Sequence, residues 1–508
     1  MLNNSQPNDK YVEYENIISS TSSTGIFDVI IVGAGPVGLA TAIGLYKRGI
    51  TNILVIDQTR TFRQVGQIVD LLPNGLKALK YIDEIACEEV KKAGMGYLNS
   101  LFFKSKNQQD SVSSEAENPD SSPKWFSKNL QGEITHSIPL SYDYWHNNYG
   151  EGRVSISWYD LQTTLRNQLP EYLVKANHRC VNLVEELYGE NEKTCIRIDC
   201  ISTLEELEKN PYAYWESNPN NINNINQPLE LIPKKQLTAT KSIRGKIIIA
   251  ADGINSTIRR ILYTNNSENA FTRPKYSGFA AIYCTEISEI SQEIQTELET
   301  GFLKESSLVT IGDESPRMVL FRHNNSIFGY LLHIALPLEL LQDKSGSLLI
   351  DLALQQLEKA NYPEVLKKLV AASSHEKMLQ RPYYIHHAES NPENQLESQP
   401  AWNAGSVVLA GDAAHGMPPF MAQGANQGLE DALALTTAIA NIALSSQWDD
   451  TQAISQAFSK YDRLRRPIMA YVQRATLTRF PYISNRHWQD YNDQIYSRNL
   501  EPTSGVYL

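Results

Sequence analysis

The sequence predicts an α/β protein: a Rossmann-like dinucleotide-binding domain, an inserted and mostly antiparallel β-sheet domain, and C-terminal helices. Three observations carry this. First, a short β-branched run ending in glycine, FDVIIVG (27–33), opens into a GxGxxG loop and a helical pattern over 36–48, and a second buried strand, NILVID (52–57), follows. Strand, helix and strand in that order form a βαβ unit, so a parallel sheet is expected. Second, alternating runs between about 276 and 337, such as RMVLFRH and SIFGYLLHIALP, read as antiparallel strands with one wet face. Third, the pattern from Gly428 to about Thr478 is helical.

Taken in order, residues 1–25 read as a polar tail and 26–103 as the first part of the dinucleotide-binding domain. Residues 104–150 are a polar insertion and substrate-side segment; the stretch 104–135, rich in Ser, Asn, Gln, Asp and Lys, reads as solvated loop. Residues 151–263 are the second part of the dinucleotide-binding domain. They contain a buried strand, GKIIIA (245–250), and an Asn-rich insertion, 203–240, whose stretch 215–228 is expected to be dispensable for cofactor retention. Residues 264–400 form the substrate domain, with 349–379 helical. Residues 401–442 return to the first domain through the strand GSVVLA (405–410), and 443–508 are C-terminal helices followed by an aromatic-rich tail that reads as irregular from Phe480.

A chain of 508 residues is long enough for two domains. The formal net charge is −11 without a long run of one sign, which argues against a nucleic-acid partner. The five cysteines form no CxxC pair and no zinc spacing, so a reducing, cytoplasmic setting and no metal are expected; each thiol reads best as a small buried hydrophobe. The N-terminus lacks the basic start and apolar core of a signal peptide. The most apolar window, Ile26 to Leu45, has the length of a membrane span but carries Asp28 and four glycines, and the βαβ reading fits it better, so no transmembrane segment is expected.

Three glycine motifs carry the chemistry. In VGAGPVGLA, Gly33 makes a tight turn, Gly35 lets backbone approach a pyrophosphate, and Gly38 lets helix pack on strand. The phosphates would sit at the helix N-terminus. Asp57 closes the second strand 19 residues after Gly38, where a ribose-binding carboxylate belongs. The acid favours a free 2′-hydroxyl, hence FAD or NAD over NADP. The second motif is IIIAADGINSTIRR, with Asp252, Gly253, Ser256 and Arg259. The third is LAGDAAHGMPPFMAQGANQGLEDALAL (409–435), where an apolar strand ends in Gly411-Asp412, two prolines follow, and a glycine loop precedes a helix.

In this order and at these distances the motifs resemble the single-component FAD-dependent aromatic hydroxylases, the p-hydroxybenzoate and salicylate hydroxylase family, over about residues 27–475. The resemblance implies non-covalent FAD held at Gly33, Gly35, Pro36, Val37 and Gly38 (pyrophosphate loop) and at Asp57 and Gln58 (adenosine ribose end). It implies Arg63 and Gln67 in a turn near the FAD, and Asp252 and Gly253 serving FAD and the visiting NAD(P)H. It places Asp412, presented by Gly411, on the ribityl chain and Pro418 and Pro419 along the flavin as lining candidates. Gly424, Ala425 and Asn426 form the loop whose backbone meets the pyrimidine end, at a helix N-terminus suited to negative charge. Glu430, on the helix that follows, is expected to face solvent. Two positions depart from the family: Trp158 stands where relatives have an FAD-contacting Arg, with Arg153 nearby, and Ala422 where many have Gly.

The implied chemistry is monooxygenation. NAD(P)H reduces FAD, O₂ adds at flavin C4a, and the resulting hydroperoxide hydroxylates or epoxidises an electron-rich, aromatic small molecule. No catalytic base is assigned; His415 reads as a packing or hydrogen-bonding residue, and Arg322, Tyr330 and His333 as sheet residues on the face toward the flavin. The alternatives are an FAD-dependent reductase of an isoprenoid or quinone-type substrate, and an FAD-binding protein without turnover. The oligomeric state is left open between monomer and homodimer.

Overall fold

The computed structural model describes residues 25–59, 62, 68–102, 123–202, 239–264, 271–304, 306–312, 314–324, 326–389, 399–479 and 485–501. Arg63, Gln67, most of the Asn-rich insertion and the N-terminal tail up to residue 24 lie outside these.

In chain order the elements are β1 (Ile26–Val32), α1 (Pro36–Lys47), β2 (Ile53–Ile56), β3 (Ile68–Leu71), α2 (Pro73–Ile82), α3 (Glu84–Phe102), β4 (Lys124–Lys128), β5 (Ile134–Pro139), α4 (Tyr142–Tyr149), β6 (Val154–Ser157), α5 (Trp158–Arg166), β7 (Val174–Lys175), β8 (Arg179–Tyr188), β9 (Lys193–Ser202) and β10 (Ala239–Ala250). Then come α6 (Thr257–Thr264), β11 (Lys275–Ile287), α7 (Gln292–Gly301), β12 (Leu308–Ile311), β13 (Arg317–Asn324), β14 (Ile327–Ala335), α8 (Ser347–Lys359), α9 (Glu364–Ala371), β15 (Leu379–Ile385), β16 (Asn403–Ala404) and β17 (Val407–Leu409). The chain closes with the one-turn α10 (Asp412–His415), α11 (Gly424–Leu444), α12 (Thr451–Arg479) and α13 (Asn485–Tyr496).

The first sheet has eight strands, ordered β16-β17-β10-β1-β2-β7, with the β8–β9 hairpin joined to β10. Its centre is parallel: β17, β10, β1, β2 and β7 run one way. Val29, Ile30 and Ile31 of β1 are fully buried, as continuous apolar strands covered on both faces must be. Helices α1, α2, α5 and α11 supply much of that cover and share one core with the sheet.

The second sheet has seven strands, ordered β15-β11-β14-β13-β12-β4-β5. One face packs on α7, α8 and α9 through Ala280, Ile282, Met318, Leu320, Tyr330 and Leu332. The alternate residues, Phe279, Tyr283, Val319, Leu331 and His333, look the other way. Here the structure corrects the reading of 104–135 as loop, because Lys124–Lys128 and Ile134–Pro139 are strands at the sheet's edge. The polar composition hid the tie that places them, a 2.9 Å hydrogen bond from the Trp125 indole to Thr310 Oγ1. The tail is also not wholly irregular. In α13, Trp488, Tyr491 and Ile495 recur at helical spacing and pack in a third small core with Trp145. All five cysteines are buried, with free thiols.

The carboxyl ends of β1, β10 and β17 lie side by side, because Val32 pairs with Ala250 and Ala250 with Leu409. The three motifs therefore leave the sheet at one edge. Tight backbone packing is required there, since a Cβ on Gly38 would lie 2.0 Å from the Gly33 carbonyl oxygen. Gly38→Ala is expected to cost at least about 2 kcal/mol of stability. Gly35→Ala, whose Cβ meets nothing within 4 Å, should leave the melting temperature of the cofactor-free protein nearly unchanged. Thermal unfolding of the two variants side by side checks this; equal losses would refute it.

Candidate cofactor and substrate site

Gly33 turns the chain at φ +110, and a side chain there would strike the Ala251 carbonyl at 2.2 Å. Helix α1 then starts at Pro36 with Gly35 as N-cap and no side-chain cap. Its first N–H groups are thus left for an outside acceptor, beside the open face of Gly35. Asp57 is held ready next to this loop: Ala34 N–H donates to Oδ2 and Thr59 N–H to Oδ1, each at 2.7 Å. Gln162 on α5 fixes the same turn from behind, donating to the Ala34 carbonyl at 2.7 Å.

Asp252 caps α6. Its Oδ2 accepts from Thr257 N–H at 2.8 Å and Ile258 N–H at 3.3 Å, while Oδ1 is buried without a partner. Burial raises its carboxyl above the ordinary value, against hydrogen bonds from Ser256, Ile258 and Thr257. Arg259, from the same motif, reaches across and donates to the Ala413 and Ala414 carbonyls, both at 3.0 Å. Burial lowers its guanidinium to about 10.

Gly411, at φ +59, presents Asp412 as the first residue of α10. Although Asp412 follows a buried strand and Gly411 and Ala413 beside it are buried, its own side chain is exposed. Surrounding protein still raises its carboxyl, opposed by His415 and Arg381. A side chain reached by solvent yet ringed by protein belongs to the wall of a cleft. Pro418 is buried and Pro419 exposed, and the turn ends at Ala422 in left-handed conformation, φ +53. That conformation explains why glycine suits this position. Helix α11 follows, also without a side-chain cap, and a Cβ on Gly424 would lie 3.8 Å from Asp412 Oδ1. The helix N-terminus and the carboxylate therefore face the same space.

Beneath the loop sits a buried ionic cluster. Asp431 Oδ2 accepts from Gly411 N–H at 2.8 Å and lies 2.6 Å from His415 Nε2. Arg465 of α12 donates to Asp431 Oδ1 at 2.8 Å, to Glu430 Oε2 at 2.6 Å and to the Gln427 side chain at 2.7 Å. Glu430 also accepts from Arg498 at 2.5 Å and Asn74 at 2.8 Å. Glu430 and Asp431 are both fully buried, which overturns the expectation that Glu430 faces solvent. A carboxylate takes such a place only when cations come with it. Burial pushes Asp431 up, but His415 and Arg465 outweigh it and hold the carboxyl at about 2. Glu430 is likewise lowered, Arg465 and Arg498 prevailing over burial.

Residues 27–69 and 350–476 match the family described as FAD binding domain. Over 454 residues, 88% of this chain and 86% of the relative, the chain is 22% identical to 3-hydroxybenzoate 6-hydroxylase 1 of Aquipseudomonas alcaligenes. An 84-residue stretch, 16% of this chain and 18% of the relative, is 39% identical to salicylate hydroxylase of Pseudomonas putida. Among solved structures, a salicylate hydroxylase substrate complex shares the fold with a TM-score of 0.57 and 17% identity, covering 96% of this chain and 99% of that one. The chain resembles the FAD-dependent aromatic hydroxylases.

Within this hydroxylase-like frame, Gly33, Gly35, Pro36, Val37 and Gly38 follow β1, Asp57 and Gln58 follow β2, Asp252 and Gly253 follow β10, Gly411 and Asp412 follow β17, and Gly424 and Ala425 open α11 beside Asp412. The Asn426 side chain is spent internally, accepting from Leu72 N–H and donating to the Asp70 and Ala422 carbonyls. Trp158 begins α5, half-buried. Arg153 pairs with Asp70 at 3.0 Å, its Nε buried without a partner. Tyr330 and Arg322 face the helix side, toward Ser373 and Glu299 respectively. Only His333 of that trio faces the loop. Gln162, Asn74 and Arg465 were missed. For Arg465 a signal existed, because two adjacent acids inside the apolar run GLEDALAL call for a buried cation.

Removing that cation takes a charged partner from two buried carboxylates at once, so Arg465→Met is expected to cost about 3–5 kcal/mol. The wild type should lose stability as pH falls from roughly 4 toward 2, since Asp431 titrates lower in the folded chain than unfolded and its contribution is present only above the unfolded value. Urea unfolding of both proteins across that window reads the effect. A variant as stable as wild type would refute the clamp.

Proposed function

We propose that this chain is an FAD-dependent monooxygenase that uses NAD(P)H and O₂ to oxygenate an electron-rich aromatic small molecule. The observation that carries this reading is the convergence of three dinucleotide-type loops on one sheet edge, facing an aromatic face of the second sheet. The residues present suit non-covalent FAD. Two uncapped helix N-termini await anionic or electron-rich groups, Gly35 leaves an open approach, and the buried Asp252 Oδ1 lacks a partner. The first turn of α1 would take the pyrophosphate and Asp57 the adenosine ribose. Asp412 would take the ribityl chain and the N-terminus of α11 the pyrimidine edge.

Bound FAD supplies the redox chemistry, taking electrons from NAD(P)H and activating O₂. The chain supplies binding, orientation and shielding. The N–H groups of Gly424 and Ala425 would stabilise negative charge at the pyrimidine end. Phe279, His333, Tyr383 and Phe420 would keep water from the reacting ring. His333 is held neutral, burial and Arg317 lowering it to about 3, so it adds no charge there. One βαβ fingerprint serves FAD, and NAD(P)H would visit the remaining surface transiently. The curated relatives are named hydroxylases and monooxygenases, which favours this reading over an isoprenoid or quinone reductase. Among the described residues no helix is long and apolar enough to cross a membrane. With five free thiols, a cytoplasmic location fits.

The purified protein should be yellow and should oxidise NAD(P)H faster with an electron-rich aromatic than without, one atom of ¹⁸O₂ entering the product. Mass spectrometry decides between the readings, because turnover without label would favour the reductase. Asp412→Ala should weaken FAD retention or flavin reduction by roughly tenfold or more, the loss of one charge-assisted hydrogen bond. Asn441→Ala, on an exposed turn of α11, should leave both unchanged; equal effects would place the carboxylate elsewhere.

A further inference from the structure

We propose that Phe420 is a specificity-determining residue that limits the size of the aromatic ring the site accepts; the proposal rests on the monooxygenase reading above. Phe420 directly follows Pro418 and Pro419. Its ring meets three rings from three neighbouring strands: Phe279 on β11 at 5.5 Å, and His333 on β14 and Tyr383 on β15 at 5.4 Å each, all near perpendicular. These are favourable edge-to-face contacts. The loop and the second sheet thereby meet at this side chain.

The sheet is shaped for this ring. Ala281 lies opposite both His333 and Arg381 in register, and Ala335 lies opposite Phe279. The small Ala281 thus lies on the same sheet face as the three rings that Phe420 meets. The ring is only half-buried, so its remaining flank borders open space. The same sheet face continues away from it through Tyr283, Leu331 and Val319, also only partly buried. A flat substrate lying along this face would meet Phe420 as its end wall.

The wall is stiff. Two prolines precede Phe420, its own turn is a single 3₁₀ turn, and Ala422 locks the exit in left-handed conformation. Tyr383 and His333 are tied to each other behind it, hydroxyl to Nδ1 at 3.2 Å. Phe420 therefore does not swing aside at low cost. Removing its ring opens space over Ala281, bounded by Phe279, His333 and Tyr383, of the size and aromatic character that a second fused ring fills.

The test compares phenol and 1-naphthol as probes on the FAD-loaded protein, reading each probe's binding from its perturbation of the visible flavin spectrum. Wild type should favour phenol relative to the Phe420 variants. Phe420→Ala should shift the affinity ratio toward 1-naphthol by about tenfold or more, the value of several newly buried apolar carbons. Phe420→Leu should fall between. Ala281→Val, which crowds the ring from beneath, should shift the ratio the opposite way. An unchanged ratio in the FAD-containing variants would overturn the proposal. So would the absence of any perturbation by either probe, or loss of FAD from Phe420→Leu as well as Phe420→Ala, which would make Phe420 a cofactor-loop residue instead. Failure of the monooxygenase reading has a different signature: probes that bind beside the flavin but never stimulate NAD(P)H oxidation.

Discussion

The candidate site depends on the pairing of Arg465 with the consecutive acids Glu430 and Asp431. All three are essentially inaccessible to water. Buried charge is costly, and an ion pair of this kind rarely adds net stability over an apolar replacement. What it adds here is position. Asp431 holds the amide of Gly411 and the ring of His415, so the turn that presents Asp412 is set from below. Glu430 holds Asn74 at the start of α2 and Arg498 near the C-terminus. One guanidinium thus ties α11 and α12 directly, and through the two acids the cofactor turn, α2 and the last described segment.

A second constraint acts from above. Arg259 donates to the carbonyls at the end of the same turn, and Phe420 docks the loop on the second sheet. The two sheets have separate cores. The loop between Gly411 and Asn426 touches both, so it is where cofactor and substrate would meet. Its rigidity comes from prolines and from Ala422, its polarity from Asp412 and the uncapped α11. A ring placed there would be gripped by apolar walls and polarised from one end.

Much of this was legible in the sequence because it is local. GxGxxG between two buried strands dictates a βαβ turn, and Asp57 lies at the end of the second strand whatever the rest of the chain does. Gly411-Asp412 at a strand end, two prolines and an uncapped helix start are equally local. Polar composition misled where long-range pairing decided the outcome, as in strand β4, which finds its partner more than 170 residues away in β12 and in turn carries β5 at the sheet's edge.

The fold class, the dinucleotide loop, the acid beside it and the order of the three motifs can be read from local residue pattern, because backbone sterics and strand–helix periodicity act between neighbours. Which polar groups are buried follows only from how distant segments pack. Glu430 and Asp412 differ in ways no periodicity reveals: the first is covered because Arg465 and Arg498 arrive from 35 and 68 residues away, the second opens toward a cleft because Gly411 turns it out. The same holds for Phe420, which meets aromatic rings from three different strands. Charge compensation and side-chain packing are sums over whatever the folded chain brings near, and so they belong to the fold and not to any one segment.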